Sequence, residues 1–326
     1  MLISPESIAP LPEIFSAIGH TPLLRLHFAA EGFTVYAKAE FLNPTGSIKD
    51  RLALAILIDA RARGLLRPDS TILECTSGNT GISLAMAGAA LGYRVRILMS
   101  ENASLERRHL LRHFGAEIQL FKPVRGYLTG IELSRELAAA DPRIFLPRQF
   151  ENPLNARDHE ENTGPEIITQ IAGRVDAFVS GYGTGGTLTG CSRALRRHNP
   201  AVKIVAMEPA EAALLSGESP CCHGIEGVAG GYVPPLLDRT AIDRVVKVSS
   251  ADALAMTRRL AREFGLMVGT SSGANICAAL QVARWLGPAA RIATVLCDRA
   301  ERYYSTSLFS APAPAPEPEV AYAIGI

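Results

Sequence analysis

An α/β architecture, two open twisted sheets each covered by helices, is the fold class this sequence predicts, and three observations predict it. Apolar, β-rich runs alternate with helical stretches along most of the chain, as in parallel βαβ units. Some of those runs carry no polar alternation, which is expected of strands buried on both faces. At 326 residues the chain is too long for one typical domain and long enough to bury a large apolar core.

The alternation is clearest in two places. Thr71–Cys75 precedes a helix near Gly81–Leu91 and a strand at Arg94–Met99; Ala177–Ser180 precedes a helix ending near Arg197 and a strand at Lys203–Met207. Ile97-Leu98-Met99 and Ala293-Thr294-Val295-Leu296 are the continuously apolar strands. The pattern breaks near 145–155, at Asn152-Pro153, so the expected units are residues 1–148 and 149–309. Residues 310–326, SAPAPAPEPEVAYAIGI from Ser310, are too rich in alternating Ala and Pro to pack a core, and are read as an extended tail.

Charge is close to balanced, with 33 Lys+Arg against 32 Asp+Glu, so no field is available to gather nucleic acid or an anionic membrane. The N-terminus lacks a basic region followed by a long apolar one, and no run of about 18 apolar residues occurs. A cytoplasmic protein acting on small molecules is the expectation. Six cysteines (Cys75, Cys191, Cys221, Cys222, Cys277 and Cys297) form no CxxC pair or zinc spacing and are expected as free thiols, with no metal site. The histidines fall in no HExxH pattern, and the Asn102-Ala103-Ser104 sequon has no secretory context.

Four segments carry chemistry. Asn43-Pro44-Thr45-Gly46-Ser47-Ile48-Lys49-Asp50-Arg51 leads into a helix, with Ser47 expected as N-cap and Asp50 completing a capping box. Lys49 then falls in the first turn, where the positive end of the helix dipole disfavours a cation and eases loss of the proton. An unprotonated amine is what Schiff-base chemistry requires, although an exposed surface lysine would give the same local sequence.

Thr76-Ser77-Gly78-Asn79-Thr80-Gly81 joins a strand to a helix and suits either a carboxylate receptor or a plain turn. Gly181-Tyr182-Gly183-Thr184-Gly185-Gly186-Thr187 follows another strand and opens another helix, with glycines that let the backbone approach a phosphate. Gly181, Gly183 and Gly186 also match G-x-G-x-x-G, which keeps a nicotinamide-dependent oxidoreductase in view. The ribose-binding acid should come about 20 residues on, and Glu208 lies beyond that. Gly269-Thr270-Ser271-Ser272-Gly273 follows the strand-like Leu266-Met267-Val268 and precedes a further helix, which its serines could simply cap.

In this order the four segments resemble the cysteine synthase and cystathionine β-synthase family of fold-type II pyridoxal-phosphate enzymes, of the tryptophan synthase β-like class. The likeness runs from Ile18-Gly19-His20-Thr21-Pro22-Leu23 to Glu301-Arg302-Tyr303-Tyr304-Ser305-Thr306. It implies pyridoxal 5′-phosphate as cofactor, joined to Lys49 as an internal aldimine. Asn79 is implied to bond the cofactor's ring oxygen, and Gly183, Thr184, Gly185, Gly186 and Thr187 to hold its phosphate. Ser271 is implied to face the pyridine nitrogen, while Thr76, Ser77, Thr80 and Gln149 bind the substrate carboxylate.

The resemblance further implies β-replacement on an O-activated L-serine, O-acetylserine or O-phosphoserine, through an aminoacrylate. Sulfide is the expected nucleophile, giving L-cysteine; an amine or another thiol is the alternative, as for a specialised β-substituted alanine synthase. A mobile substrate-binding subdomain within residues 1–148, a homodimer and a serine acetyltransferase partner are also implied. A catalytically inactive, partner-binding relative is the reading from a different class.

Several positions depart from the family pattern: Thr45, Cys75, Ala103, and the segment Cys297-Asp298-Arg299-Ala300-Glu301-Arg302, which stands for a Pro-Asp-x-Gly-Glu-Arg type. They leave the cofactor contacts intact and bear on the donor and nucleophile. Two further features are open: Ile326, whose free carboxylate could dock in an active site, and Cys221-Cys222-His223, where vicinal thiols adjoin an imidazole.

Overall fold

The computed structural model describes residues 10–76, 78–124 and 127–310. Strands β1 (Leu23–Phe28) and β2 (Phe33–Lys38) form an antiparallel hairpin, and α1 (Lys49–Ala62) follows. Then come β3 (Thr71–Cys75), α2 (Asn79–Leu91), β4 (Arg94–Ser100), α3 (Leu105–His113), β5 (Glu117–Phe121), α4 (Tyr127–Ala140) and β6 (Ile144–Phe145). The second half runs α5 (Pro153–Asp158), α6 (Gly164–Gln170), β7 (Ala177–Gly181), α7 (Gly186–His198), β8 (Lys203–Pro209) and β9 (Arg244–Val248). It closes with α8 (Ser250–Phe264), α9 (Thr270–Leu286) and β10 (Ile292–Val295).

Two sheets result. One has the order β5-β4-β3-β6 and the other β1-β2-β10-β7-β8-β9, and every pairing except that of β1 with β2 is parallel. The sheets do not divide at residue 148, because β1 and β2 join the six-stranded sheet through β10. That pairing, Val35 beside Ile292 and Lys38 beside Val295, links opposite ends of the chain and leaves no local signal in the sequence.

Alternation along the strands feeds two cores per sheet, as a period of two residues requires. Val179 and Met207 face α8 and α9, whereas Phe178, Ile204 and Ala206 face α6 and α7. In the smaller sheet Ile72, Ile97 and Met99 pack toward α1 and α2, and Leu73, Cys75 and Leu98 toward α4. Local chemistry sets several helix ends. The Asn152 side chain accepts from Leu154 N at 3.1 Å with Pro153 as the first helical residue. Gly92 and Gly265 close α2 and α8 with positive φ, which costs a glycine nothing.

Two sequence expectations fail here. Ile48, not Ser47, caps α1, and the buried Asp50 carboxylate turns instead to Thr45 N at 2.7 Å and Ser83 Oγ at 2.5 Å. A buried carboxylate needs every available donor, and those two hydroxyl-bearing residues supply them better than the Ser47 backbone could. Leu266-Met267-Val268, which looks strand-like, is coil carrying one isolated bridge from Val268 to Arg299. The tail from 311 onward, Ile326 included, lies outside the described residues, and no described helix is long and apolar enough to cross a membrane.

Candidate active site

Parallel strands present their carboxyl ends, with the loops that follow, to one side of a sheet, and ligands of open α/β folds bind there. Here the turns after β3, β7 and β10 converge on a single cleft between the sheets. Its walls bring together Lys49, Thr76, Asn79, Thr80, Gln149, Gly183, Thr184, Gly185, Thr187 and Ser271. Gly186 stands just behind the lining, and Ser77 lies outside the described residues.

Lys49 opens α1 and enters the cleft. Removal from water pushes its pKa down, against the opposing pull of the Asp298 and Glu40 carboxylates. The helix that carries it is anchored two residues later. Arg51 is buried and donates from Nε and Nη2 to Glu40 at 2.7 and 2.8 Å, and from Nη1 and Nη2 to Glu166 at 2.8 and 2.7 Å. Lys38 bonds the same Glu166 at 2.6 Å. Burial alone would raise the Glu166 carboxyl, but these two cations hold it at about 2.

The glycine turn before α7 forms a cradle. Gly185 has φ +84°, and a Cβ on Gly183 or Gly186 would collide with Gly227 O or the Asn155 side chain. Thr184 Oγ1 accepts from Asn155 Nδ2 at 2.9 Å, and the Thr187 hydroxyl meets His159 Nε2 at 3.1 Å. Burial holds His159 neutral, with a pKa pushed down to about 3. A concave backbone at the N-terminus of a 13-residue helix, edged by two threonine hydroxyls, suits a phosphate group. With an amine of lowered pKa in the same cleft, the residues fit pyridoxal 5′-phosphate. A dinucleotide does not use such a lysine, and Glu208 is instead buried on Tyr182, Leu215 and Ser216.

On the facing wall, Thr80 Oγ1 donates to Gln149 Oε1 at 2.6 Å, and Gln149 Nε2 donates to Cys75 O at 3.0 Å. Asn79 is already engaged: its Nδ2 donates to Asp298 Oδ2 at 2.6 Å and its Oδ1 accepts from Arg302. The amide is thereby oriented by two opposite charges. The expectation that the serines cap α9 does not hold, since Gly269 occupies that position without a side-chain bond. Ser272 Oγ instead accepts from Cys297 N at 2.9 Å, while Ser271 lines the cleft.

Sequence reasoning missed Arg107, Tyr127, Phe150, Glu226, Asp298 and Tyr303 as cleft residues. Asp298 lies within the segment that departs from the family pattern, but the departures flank it and did not single it out. Nothing local marked Glu226, which reaches the cleft from the long loop after β8. All six cysteines are free, and Cys221 and Cys222 are exposed.

The profile of the pyridoxal-phosphate dependent enzyme family matches residues 14–298, nearly the whole described chain. The chain belongs to that family. A cysteine synthase of Staphylococcus aureus is 43% identical over 304 residues, covering 92% of this chain and 98% of that one. An O-ureido-L-serine synthase of Streptomyces lavendulae is 45% identical over 298 residues, 91% of this chain and 92% of that one. A crystal structure of cysteine synthase from Entamoeba histolytica superposes with a TM-score of 0.88 at 36% identity, covering 97% of this chain and 95% of that one. The fold is therefore fold type II, the cofactor is pyridoxal phosphate, and this pyridoxal-phosphate enzyme is of the cysteine synthase type.

Proposed function

We propose that this pyridoxal-phosphate enzyme replaces the β-substituent of O-acetylserine or O-phosphoserine with sulfide, giving L-cysteine. The observation that carries the reading is one cleft shared by an amine of lowered pKa, a glycine cradle and a polar turn on the opposite sheet. When bound, pyridoxal phosphate supplies the electron sink that makes the substrate's α-proton acidic.

Each wall then has its task. Gly183, Thr184, Gly185, Gly186 and Thr187 hold the phosphate, with His159 orienting the Thr187 hydroxyl. Asn79, fixed by Asp298 and Arg302, offers its remaining Nδ2 hydrogen to the ring oxygen. The neutral Ser271 hydroxyl faces the ring nitrogen. Thr76, Ser77, Thr80 and Gln149 receive the donor's carboxylate, which orients the α-carbon. Lys49 Nζ, whose proton burial makes easier to lose, takes the α-proton and hands one back after the nucleophile has added. Placement between the two sheets keeps bulk water from the reacting carbon. A cytosolic homodimer able to take a serine acetyltransferase belongs to the same reading.

A second reading, an organic nucleophile in place of sulfide, has its own support. Tyr127, Phe150 and Tyr232 follow one another beside the cleft, their ring centroids 5.9 and 5.7 Å apart and successive rings tilted by 53°, and the ring of Tyr127 lies where a Cβ on Gly230 would meet it at 3.1 Å. Flat aromatic faces favour a planar partner. The name of the Streptomyces lavendulae relative points the same way.

Steady-state assays of each donor against sulfide, hydroxyurea, amines and thiols separate the readings. The first expects sulfide to give the highest kcat/KM; a hydroxyurea rate tenfold above the sulfide rate replaces it with the second. Borohydride reduction followed by peptide mapping tests the attachment independently, and a cofactor mass on any residue but Lys49 refutes both.

A further inference from the structure

Arg107 belongs to α3, on the smaller sheet, and its side chain runs beneath the turn after β3. A Cβ on Gly78 would collide with its Cδ. Its guanidinium crosses the cleft, donating from Nη2 to Glu226 Oε2 at 3.0 Å and lying 4.8 Å over the Tyr303 ring. Both partners belong to the larger sheet's side of the molecule. Glu226 N donates to Thr270 Oγ1 at 3.0 Å, at the start of α9, and the Tyr303 hydroxyl donates to Asp298. Asp298 in turn accepts from Asn79 Nδ2, in the turn where the path began. A closed circuit of contacts therefore crosses between the sheets twice, and Arg107 is its cationic link.

We propose that Arg107 is a positioning residue: clasped to Glu226, it holds the turn of residues 76–81 over the glycine cradle and so sets the donor-binding geometry. The inference rests on that turn being the donor's carboxylate receptor. The pair has the asymmetry such a clasp needs. Arg107 has a side-chain exposure of 6%, so its charge depends on a partner, whereas Glu226 at 37% keeps enough water to release it. Helix α3 also ties to the other side at its start, where Ser104 Oγ donates to Arg302 O at 3.1 Å and Glu106 accepts from Ser305 N at 2.8 Å. Among the described residues, the turn's own tether to that side is Asn79, so loss of the clasp frees its Gly78 half.

Holoenzyme carrying Glu226→Gln, Arg107→Gln or both tests this with two readouts. The first is the half-saturating O-acetylserine concentration for the nucleophile-free half-reaction, followed by the cofactor's absorbance. The second is hydrogen exchange of residues 78–91, with α9 as internal reference. Each single variant is expected to raise the half-saturating concentration about tenfold, and the double variant no further than either single, because both remove one link. Exchange across 78–91 is expected to rise at least threefold in all three while α9 stays unchanged.

Additive effects in the double variant, or a Glu226→Gln protein with wild-type exchange, would overturn the clasp. Glu226→Gln carries the test alone if Arg107→Gln does not fold, since it is isosteric and partly exposed. A wild-type enzyme that responds to neither O-acetylserine nor O-phosphoserine refutes the donor reading instead, and the exchange comparison still decides the clasp.

Discussion

Replacing Arg51 by glutamine removes the cation shared by two carboxylates beneath the helix that carries Lys49. Four hydrogen bonds go with it, two to Glu40 and two to Glu166. Glu40 is fully buried and, among the described residues, keeps Thr21 and Asn43 as hydrogen-bonding side chains, neither of them charged. Glu166 retains Lys38. The loss is therefore that of one uncompensated buried charge, about 3–5 kcal/mol, which is a large share of the roughly 5–15 kcal/mol that stabilises a typical domain. With a urea m-value of about 2–3 kcal/mol/M, the midpoint should fall by roughly 1–2.5 M. The assay is equilibrium urea unfolding at about pH 7.5 under saturating pyridoxal phosphate in both proteins. Arg51→Gln combined with Glu40→Gln should recover at least half of the loss, because no charge is then stranded. A single variant that costs less than about 1 kcal/mol, or a double variant worse than the single, would refute the account of the network.

Further outcomes follow from the cleft. Lys49→Ala should bind cofactor without the covalent link, so borohydride leaves no mass on the chain, and turnover should fall by at least about 1,000-fold, as expected on losing the amine that both anchors the cofactor and moves the proton. Gly183→Ala forces its new Cβ toward Gly227 O; overpacking of about 1–3 kcal/mol should weaken cofactor affinity roughly 5- to 150-fold by equilibrium dialysis. Thr80→Val should raise the KM for the donor about tenfold at little cost to thermal stability, since one neutral hydrogen bond to Gln149 contributes about 1 kcal/mol. Acid should destabilise the fold in two ways. Glu166, held at about 2 against an ordinary 4.5, contributes stability that is present above pH 4.5 and lost as pH falls toward 2. His159, held at about 3 against 6.5, resists protonation in the folded state, so its contribution is likewise lost as pH falls from 6.5 toward 3. Thermal melts from about pH 7.5 to about pH 4 should show the His159 part, and His159→Asn should flatten it.

Much of this molecule was open to sequence reasoning because its information is local. Alternating runs placed β3, β4, β7 and β8 within a residue or two, since burial on both faces demands apolar residues there. The turn from Gly183 to Gly186, with Thr187 beyond it, could be recognised because only glycine readily tolerates φ +84° at Gly185 and the close approach of Gly183 to Gly227. Lys49 was placed in the first turn of α1, although the capping residues expected there do something else.

What only the tertiary structure decided is long-range. The sequence carried no sign that β2 would pair with β10, that the amide of Asn79 would lie between Asp298 and Arg302, or that Arg107 would find Glu226 across the cleft. Propensity and periodicity act over a few residues, whereas these contacts exist because two separately packed sheets bring their carboxyl ends face to face. The sequence by itself determined those elements whose signals are local and the residue types each turn presents; the assembly of the sheets determined which of those turns share a site.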